Sequence, residues 1–476
     1  MPVEHPFELP ELAPTGAGRS VIRLPEVDNV PVTRAVMEVI DHPHFQRLRR
    51  VRQLGPTFMV YPGAVHTRFE HSVGVYGTAV RYLQALLQHA QVRQSLDETD
   101  VRVVLMAALL HDVGHYPFAH TLEAVHHPGY ETPRHEGLVR EIVYGRAPGL
   151  SRTSRSLAWV LENTVKVHPE RVIRLITMKR SELENPVERF LQSMISSSLD
   201  VDKMDYLWRD SVHLGVPYGR GYDRERLVNS LVPNRDEDGL AVMSKGVISA
   251  EMFIFSRYIM FSEVYWHHAV RSLSAMMERV WASLVAIERP DQSDLISRLL
   301  SVGDDELLRT LASEVSPGTA PALLLGGLAS DRRRPYKRVI TWSRVYGDPQ
   351  KRQAYEQLHA MDASSVENLL TLLRERLGGG TRPLPEGALL LDIPPRDKDS
   401  IPDVEVYRHR APAGTDAYAS LLETSRIVSG IGEDFIAVVK KIRLFVHPDH
   451  AARLKEHADE TERVVHEAIG EVVGAS

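Results

Sequence analysis

The stretch "AALLHDVGHYPFAH", Ala107 to His120, sets three histidines and an aspartate behind a run of apolar helix formers. Titratable groups pressed against a core cost free energy unless they are partnered, so their presence asks for a use. Nine of the 22 histidines lie between His66 and His135, where an even spread would leave roughly three. His111 and Asp112 end an apolar helix. Adjacent helical side chains diverge by about 100°, yet both reach one ion set off the helix end. An imidazole with a carboxylate suits Mn, Fe, Zn or Ni, and suits oxygen-preferring Mg less well. Two ligands do not make a site. "RFEHS" adds His71 at the start of an upstream helix, and "SSSLDVDKMDYLWRD" adds Asp200, Asp202, Asp205 and Asp210. Spacing alone does not choose among these four. A lone histidine at a helix end is more often capped or solvated, and an acidic run is often a wet helix face. The combination on three helices is what points to a divalent-metal centre.

The elements that must carry these residues read mostly as helices. Met1 to about Gly18 reads as a loose arm, and "SVIRLPEVDNVPVT" as short strands broken by proline. A helix with a break at "DHPH" follows Thr33, and "TFMVYP" looks strand-like. "HSVGVYGTAVRYLQALLQHA" has helical periodicity, and "ETDVRVVLMAALLHD" is an apolar helix with an acidic start. The segment "NPVERFLQSMISSSLDVDKMDYLWRDSVHLG" is expected as one long helix, and so is about Ala250 to Ile287, with two shorter helices up to Leu328. Beyond that come Gly- and Pro-rich segments, strand candidates at "KRVITW", "ALLLDI" and "IAVVKKIRLFVHPDH", and a closing helix from His450. The expected organisation is a mainly α protein: arm 1–18, helical body 19–330 and a smaller α+β region 331–476.

Composition narrows the function. The chain of 476 residues is 43% apolar and 25% charged, as in soluble globular proteins. A net charge of −6 gives no global basic field for nucleic acid, although "RLRRVR" and "DRRRPYKR" permit local contacts. Zero cysteines exclude disulfides, thiolate zinc sites and a cysteine nucleophile, which fits a cytoplasmic protein. The N-terminus lacks the pattern of a signal peptide, and no apolar run reaches membrane-spanning length.

Taken together, "RFEHS", "HDVGHYPFAH" and "DVDKMDYLWRD" resemble the signature of the HD-domain phosphohydrolases. With "FQRLRRVRQLGPTFMVYPGAVHTRFEHSVGV", they resemble more closely the deoxynucleoside triphosphate triphosphohydrolases. The likeness runs from about Val21 to Ala275 and is loose afterwards, at "RPYKRV". It implies an HD-type helical body that hydrolyses dNTPs to deoxynucleoside and triphosphate. The metal ligands implied are His71, His111, Asp112 and Asp202, so the resemblance selects Asp202 from the acidic run. His115, His120, His135 and Glu136 are implied as the catalytic group. Arg68, Lys203 and Arg257 are implied as triphosphate donors. Gln53, Leu54, Tyr206 and Asp210 would surround the deoxyribose, with Tyr265 near the base. The family's habit implies a homodimer or homotetramer, and a nucleotide activator is compatible with it. Two other readings share parts of the pattern. One is an HD-type phosphohydrolase of monophosphates or cyclic nucleotides; the other is a non-catalytic nucleotide- or nucleic-acid-binding scaffold.

Overall fold

The computed structural model describes residues 9–13, 20–25, 29–127, 130–288, 291–329, 333–378, 382–394, 403–411 and 414–475. The chain is 61% helical with a few small sheets, as the mainly α expectation requires. Six helices matter for the site: α1 (Arg68–Leu86), α2 (Glu98–Leu110), α3 (His135–Val143), α4 (Val201–Leu214), α5 (Val247–Met260) and α6 (His268–Glu288). Seven strands recur below: β1 (Leu231–Pro233), β2 (Leu240–Met243), β3 (Lys337–Trp342), β4 (Leu389–Asp392), β5 (Glu405–Tyr407), β6 (Tyr418–Ser420) and β7 (Ile442–Val446).

Helix α2 is the axis of the body. Asp97 and Asp100 form a reciprocal capping box at its start, satisfying two of its unpaired N–H groups. From Val103 to Leu110 every residue is buried. A helix that is apolar all round has to sit inside, so its C-terminal residues are carried to the centre of the molecule. That is where His111 and Asp112 follow. Helix α1 packs beside it and α4 packs on α1, each begun by a side-chain cap, Thr67 for α1 and Asp200 for α4.

Several elements differ from expectation, each for a local reason. The long helix expected over 185–215 is broken in two, Pro186–Ile195 and α4. Asp200 accepts from the backbone N–H groups of Ser197 and Lys203, which restarts the helix there. The helix expected over 250–287 is also divided. A π-helical turn at Phe261–Tyr265 widens the coil and leads through Trp266 into α6. The strand-like "TFMVYP" is instead a 3-10 turn over Gly55–Met59, opened by Gly55 at φ +49 and Pro56. Three helices rather than two fill 292–328. Of the expected strand around 436–447, Ile436–Val439 end a helix (Arg426–Val439), and only β7 is extended. In the expected N-terminal arm, Leu9 and Leu12 are buried in the larger core; residues 1–8 and 14–18 lie outside the described residues.

Beyond residue 331 the chain builds a second core and also returns to the first. The strands form a sheet in the order β6-β5-β2-β1, with β5 parallel to β2, and a sheet in the order β3-β7-β4, antiparallel throughout. Strand β7 is the wall between cores. Ile442, Leu444 and Val446 face the second core, while Phe445 belongs to the first, as period-two alternation dictates. Arg443 shares the Phe445 face and donates to the carbonyl of Trp266 at 2.7 Å. Its register neighbour Asp392 accepts Arg271 of α6 at 2.6 Å and lies 3.5 Å from Arg443. Asp392 is fully buried between two guanidinium groups. Removing one partner of a buried pair strands the other charge, so Asp392→Ala should cost about 3–5 kcal/mol. Asp305→Ala, which breaks the exposed Arg52–Asp305 pair, should cost about 0–1 kcal/mol. Urea unfolding of the two variants beside wild type checks the contrast.

Candidate metal centre

Three helix ends converge on one point. His71 sits in the first turn of α1, His111 closes α2, and Asp202 lies in the first turn of α4. His71 Nε2 is 2.9 Å from Asp202 Oδ1 and 3.2 Å from His111 Nε2, and His111 Nε2 is 3.6 Å from the same Asp202 oxygen. Asp112 flanks the group, 3.4 Å from His111 Nε2 and 3.9 Å from His71 Nε2. The other ring nitrogens are already spoken for. His71 Nδ1 donates to Asp205 at 2.9 Å and His111 Nδ1 to the carbonyl of Ala108 at 2.9 Å. Those acceptors fix the N–H at Nδ1, so both Nε2 lone pairs point inward with a carboxylate. Such a cluster favours a positive charge at its centre. Burial lowers His71, yet Asp202 and Asp205 push it up to about 10, and His111 is raised by Asp112 and Asp202 against burial. Two imidazoles and one or two carboxylates are a fitting donor set for a divalent transition ion.

Asp112 is shared with a second cluster. Its carboxylate accepts Arg68 at 2.8 Å and lies 3.1 Å from His115 Nδ1. His115 Nε2 is 3.4 Å from His120 Nε2, and its ring lies 3.7 Å from that of His135. Gly114 makes this approach feasible, because an added Cβ there would fall 2.0 Å from the His135 carbonyl oxygen. Burial, then Arg68 and His135, hold His115 well below the usual imidazole range, with Asp112 opposing. Glu136 is half-exposed, 3.4 Å from His135 Nε2. The closer carboxylate is Glu123, which accepts both the backbone and Nδ1 N–H of His135, at 2.8 and 2.9 Å. Sequence reasoning missed it; its only signal was a position three residues after His120.

A cleft of about 300 Å3 opens beside these clusters. Gln53, Leu54, Arg68, His120 and Tyr265 line it, with Phe118 and Trp266. Phe118 holds a left-handed backbone at φ +54, a strained state for a bulky side chain. Tyr265 comes off the π turn and donates to Asp210 at 2.6 Å; its ring meets Tyr206 edge-on at 6.3 Å. Asp210 also accepts His66 at 2.8 Å, a histidine unassigned from sequence although it stands five residues before His71. Tyr206, Asp210, Lys203 and Arg257 do not line the cleft itself. Lys203 Nζ donates to Asp200 at 2.6 Å, and the Arg257 guanidinium stands 5.4 Å over the Phe261 ring. Both lie close enough to Tyr206 to oppose the rise that burial imposes on its hydroxyl.

A helical fold with histidines and aspartates meeting at three helix ends defines an HD-type metal centre. The HD-domain model matches residues 68–209 and the model of the HD-associated region matches residues 222–466. The chain therefore belongs to the HD-domain family that carries this associated region. It is 34% identical over 249 residues to YwfO of Bacillus subtilis, an uncharacterized protein, across 52% of this chain and 51% of that one. It is 31% identical over 229 residues to human SAMHD1, a deoxynucleoside triphosphate triphosphohydrolase, across 43% of this chain and 35% of that one. The chain thus spans about half the length of the first relative and less of the second. A hypothetical protein from Aquifex aeolicus shares the fold, with a TM-score of 0.64 at 24% identity, covering 93% of this chain and 99% of that one. Among the described residues no helix is long and apolar enough to cross a membrane.

The tautomer lock on His71 is open to direct test. Asp205→Asn removes the charge behind Nδ1 without emptying the space. Loss of a carboxylate behind a ligating histidine typically weakens metal binding about 10–100-fold. Equilibrium dialysis against Mn2+ should show that loss, with the circular dichroism spectrum retained.

Proposed function

We propose that the protein hydrolyses deoxynucleoside triphosphates to deoxynucleoside and triphosphate. One observation carries this reading: the His71–His111–Asp202 cluster and the His115–His120–His135 cluster share Asp112 and flank a cleft lined by Gln53, Leu54, Arg68 and Tyr265. The 31% identity to a protein named as a dNTP triphosphohydrolase supports it.

His71, His111, Asp112 and Asp202 would hold a divalent ion, of Mn, Fe, Zn, Ni or Mg. When bound, such an ion polarises a phosphoryl oxygen and acidifies water. Water attacks the α-phosphorus, the Pα–O5′ bond breaks, and the nucleoside leaves once O5′ gains a proton. His115 accepts a proton at Nε2, with the Asp112 carboxylate 3.1 Å from its Nδ1. His120 and His135, with Glu136, stand ready to return a proton to the leaving oxygen. Arg68 turns its fork towards Asp112 and the cleft, and suits a phosphate oxygen. Lys203 and Arg257 add positive charge to the triphosphate's side, Lys203 once its bond to Asp200 is exchanged. Gln53 and Asp210 hold the 3′-hydroxyl, Leu54 and Tyr206 close the space at C2′, and Tyr265 meets the base. A cytoplasmic homodimer or homotetramer completes the reading, since closed symmetric assembly is the usual outcome for such chains.

Incubation of purified protein with Mn2+ and each dNTP should release tripolyphosphate, read by ion chromatography. Pyrophosphate or orthophosphate as the only product would assign a different reaction. Asp202→Ala should abolish turnover and ion binding together. In wild type, kcat/KM for dGTP should exceed that for GTP by about 10–200-fold, the range that exclusion of one small group by shape provides. Tyr206→Ala should narrow that ratio; equal values in wild type would sink the assignment of the sugar pocket.

A further inference from the structure

A largely buried chain of polar side chains, hydrogen-bonded except for one ring stack, joins the ion cluster to the acid assigned to the sugar. It begins at His71, whose Nδ1–H donates to Asp205 at 2.9 Å. Arg209 grips that carboxylate through two nitrogens, each at 2.8 Å. Its third donates to Glu70 Oε1 at 2.8 Å, and His213 Nε2 donates to the same oxygen at 2.8 Å. The His213 ring stacks on His66, with centroids 4.3 Å apart and planes 12° off parallel. His66 then donates to Asp210 Oδ1, and Tyr265 to Asp210 Oδ2. His66, Asp205, Arg209 and Asp210 have side chains exposed by 2% or less.

Stability does not call for such a seam. Apolar residues of the same shape would join α1 to α4 at least as well, because buried ion pairs seldom repay their desolvation. What the seam adds is restriction. His66 is held by the stack on His213 and by its bond to Asp210, and the other members by hydrogen bonds; a buried donor left unpaired is costly, so the chain has few alternative arrangements. Glu70 is the one member bound to both halves.

We propose that Glu70 is a positioning residue that couples ion binding at His71 to sugar recognition at Asp210, through Arg209 and Asp205 on one side and His213 and His66 on the other. The proposal rests on the nucleotide reading given above. Coupling of this kind is reciprocal: a nucleoside tightens the ion by the factor with which the ion tightens the nucleoside.

A triphosphate is a poor probe, since it would touch the ion directly. Deoxyguanosine carries the sugar and no phosphate. Mn2+ is titrated calorimetrically into the full chain with and without saturating deoxyguanosine, for wild type, Glu70→Gln and His213→Phe. The second variant keeps a ring on His66, loses the hydrogen bond to Glu70, and alters a partly exposed side chain that is safer for folding. In wild type, deoxyguanosine should tighten Mn2+ by about five-fold or more. In each variant that ratio should fall to near one, while Mn2+ alone binds as it does to wild type. KM for dGTP should rise with kcat nearly unchanged, a split that general loosening of the fold would not produce. A ratio of one in wild type, or an undiminished ratio in a folded variant, overturns the proposal. Wild-type protein that hydrolyses no dNTP in a parallel assay overturns the nucleotide reading itself, and this coupling with it.

Discussion

The bidentate pair between Arg209 and Asp205 is the contact on which the centre depends. It is buried between α1 and α4, where both charges would be costly if separated. Gly74 clears the space: a Cβ there would lie 2.0 Å from the guanidinium and 2.2 Å from the carboxylate. With the pair seated, Asp205 sets the tautomer of His71, and His71 then faces Asp202 on the helix that carries Asp205. Helix α2 supplies the remaining side by a different means. Its apolar surface drives His111 and Asp112 inward, and the resulting burial forces each of them to find a partner. One wall of the centre is thus held by charge and the other by exclusion of water.

Part of this was legible in the sequence. His71, His111 and Asp112 stood out because polar residues beside strongly apolar helices are unusual, and because each falls at a predicted helix end; Asp202 lay inside a segment expected as one helix, and only the family resemblance selected it from the acidic run. The roles of Glu70, Glu123 and His66 were not legible. Each bonds to a residue distant in sequence or presented by another helix, so no spacing marks it. The C-terminal strands had a readable composition but an unreadable pairing, since the parallel pairing of β5 with β2 joins residues far apart along the chain.

Helix interruptions were lost for a related reason. Neither Ser196–Asp200 nor Phe261–Tyr265 contains a Gly or Pro that would mark a break. At the first site the serines are weak helix formers, and the Asp200 side-chain cap restarts the helix. At the second, one widened turn costs little in sequence terms yet rotates Tyr265 towards Asp210 and brings Trp266 to the cleft. Such turns gather at functional sites because they re-aim side chains without ending a helix.

Strand β7 divides its labour by parity. Its even-numbered residues, Ile442, Leu444 and Val446, answer only to the second core, while Arg443 and Phe445 answer to the body that holds the cleft. A single five-residue segment therefore lives under two unrelated selective regimes. Even positions are free to drift among apolar residues in step with the helices above them. Among the odd positions Arg443 is tied to Asp392 and to the Trp266 carbonyl, and Phe445 to the larger core, so both answer to the body that holds the cleft. Across descendants of this chain, substitutions along β7 should sort into two alternating classes, each with its own pace of change.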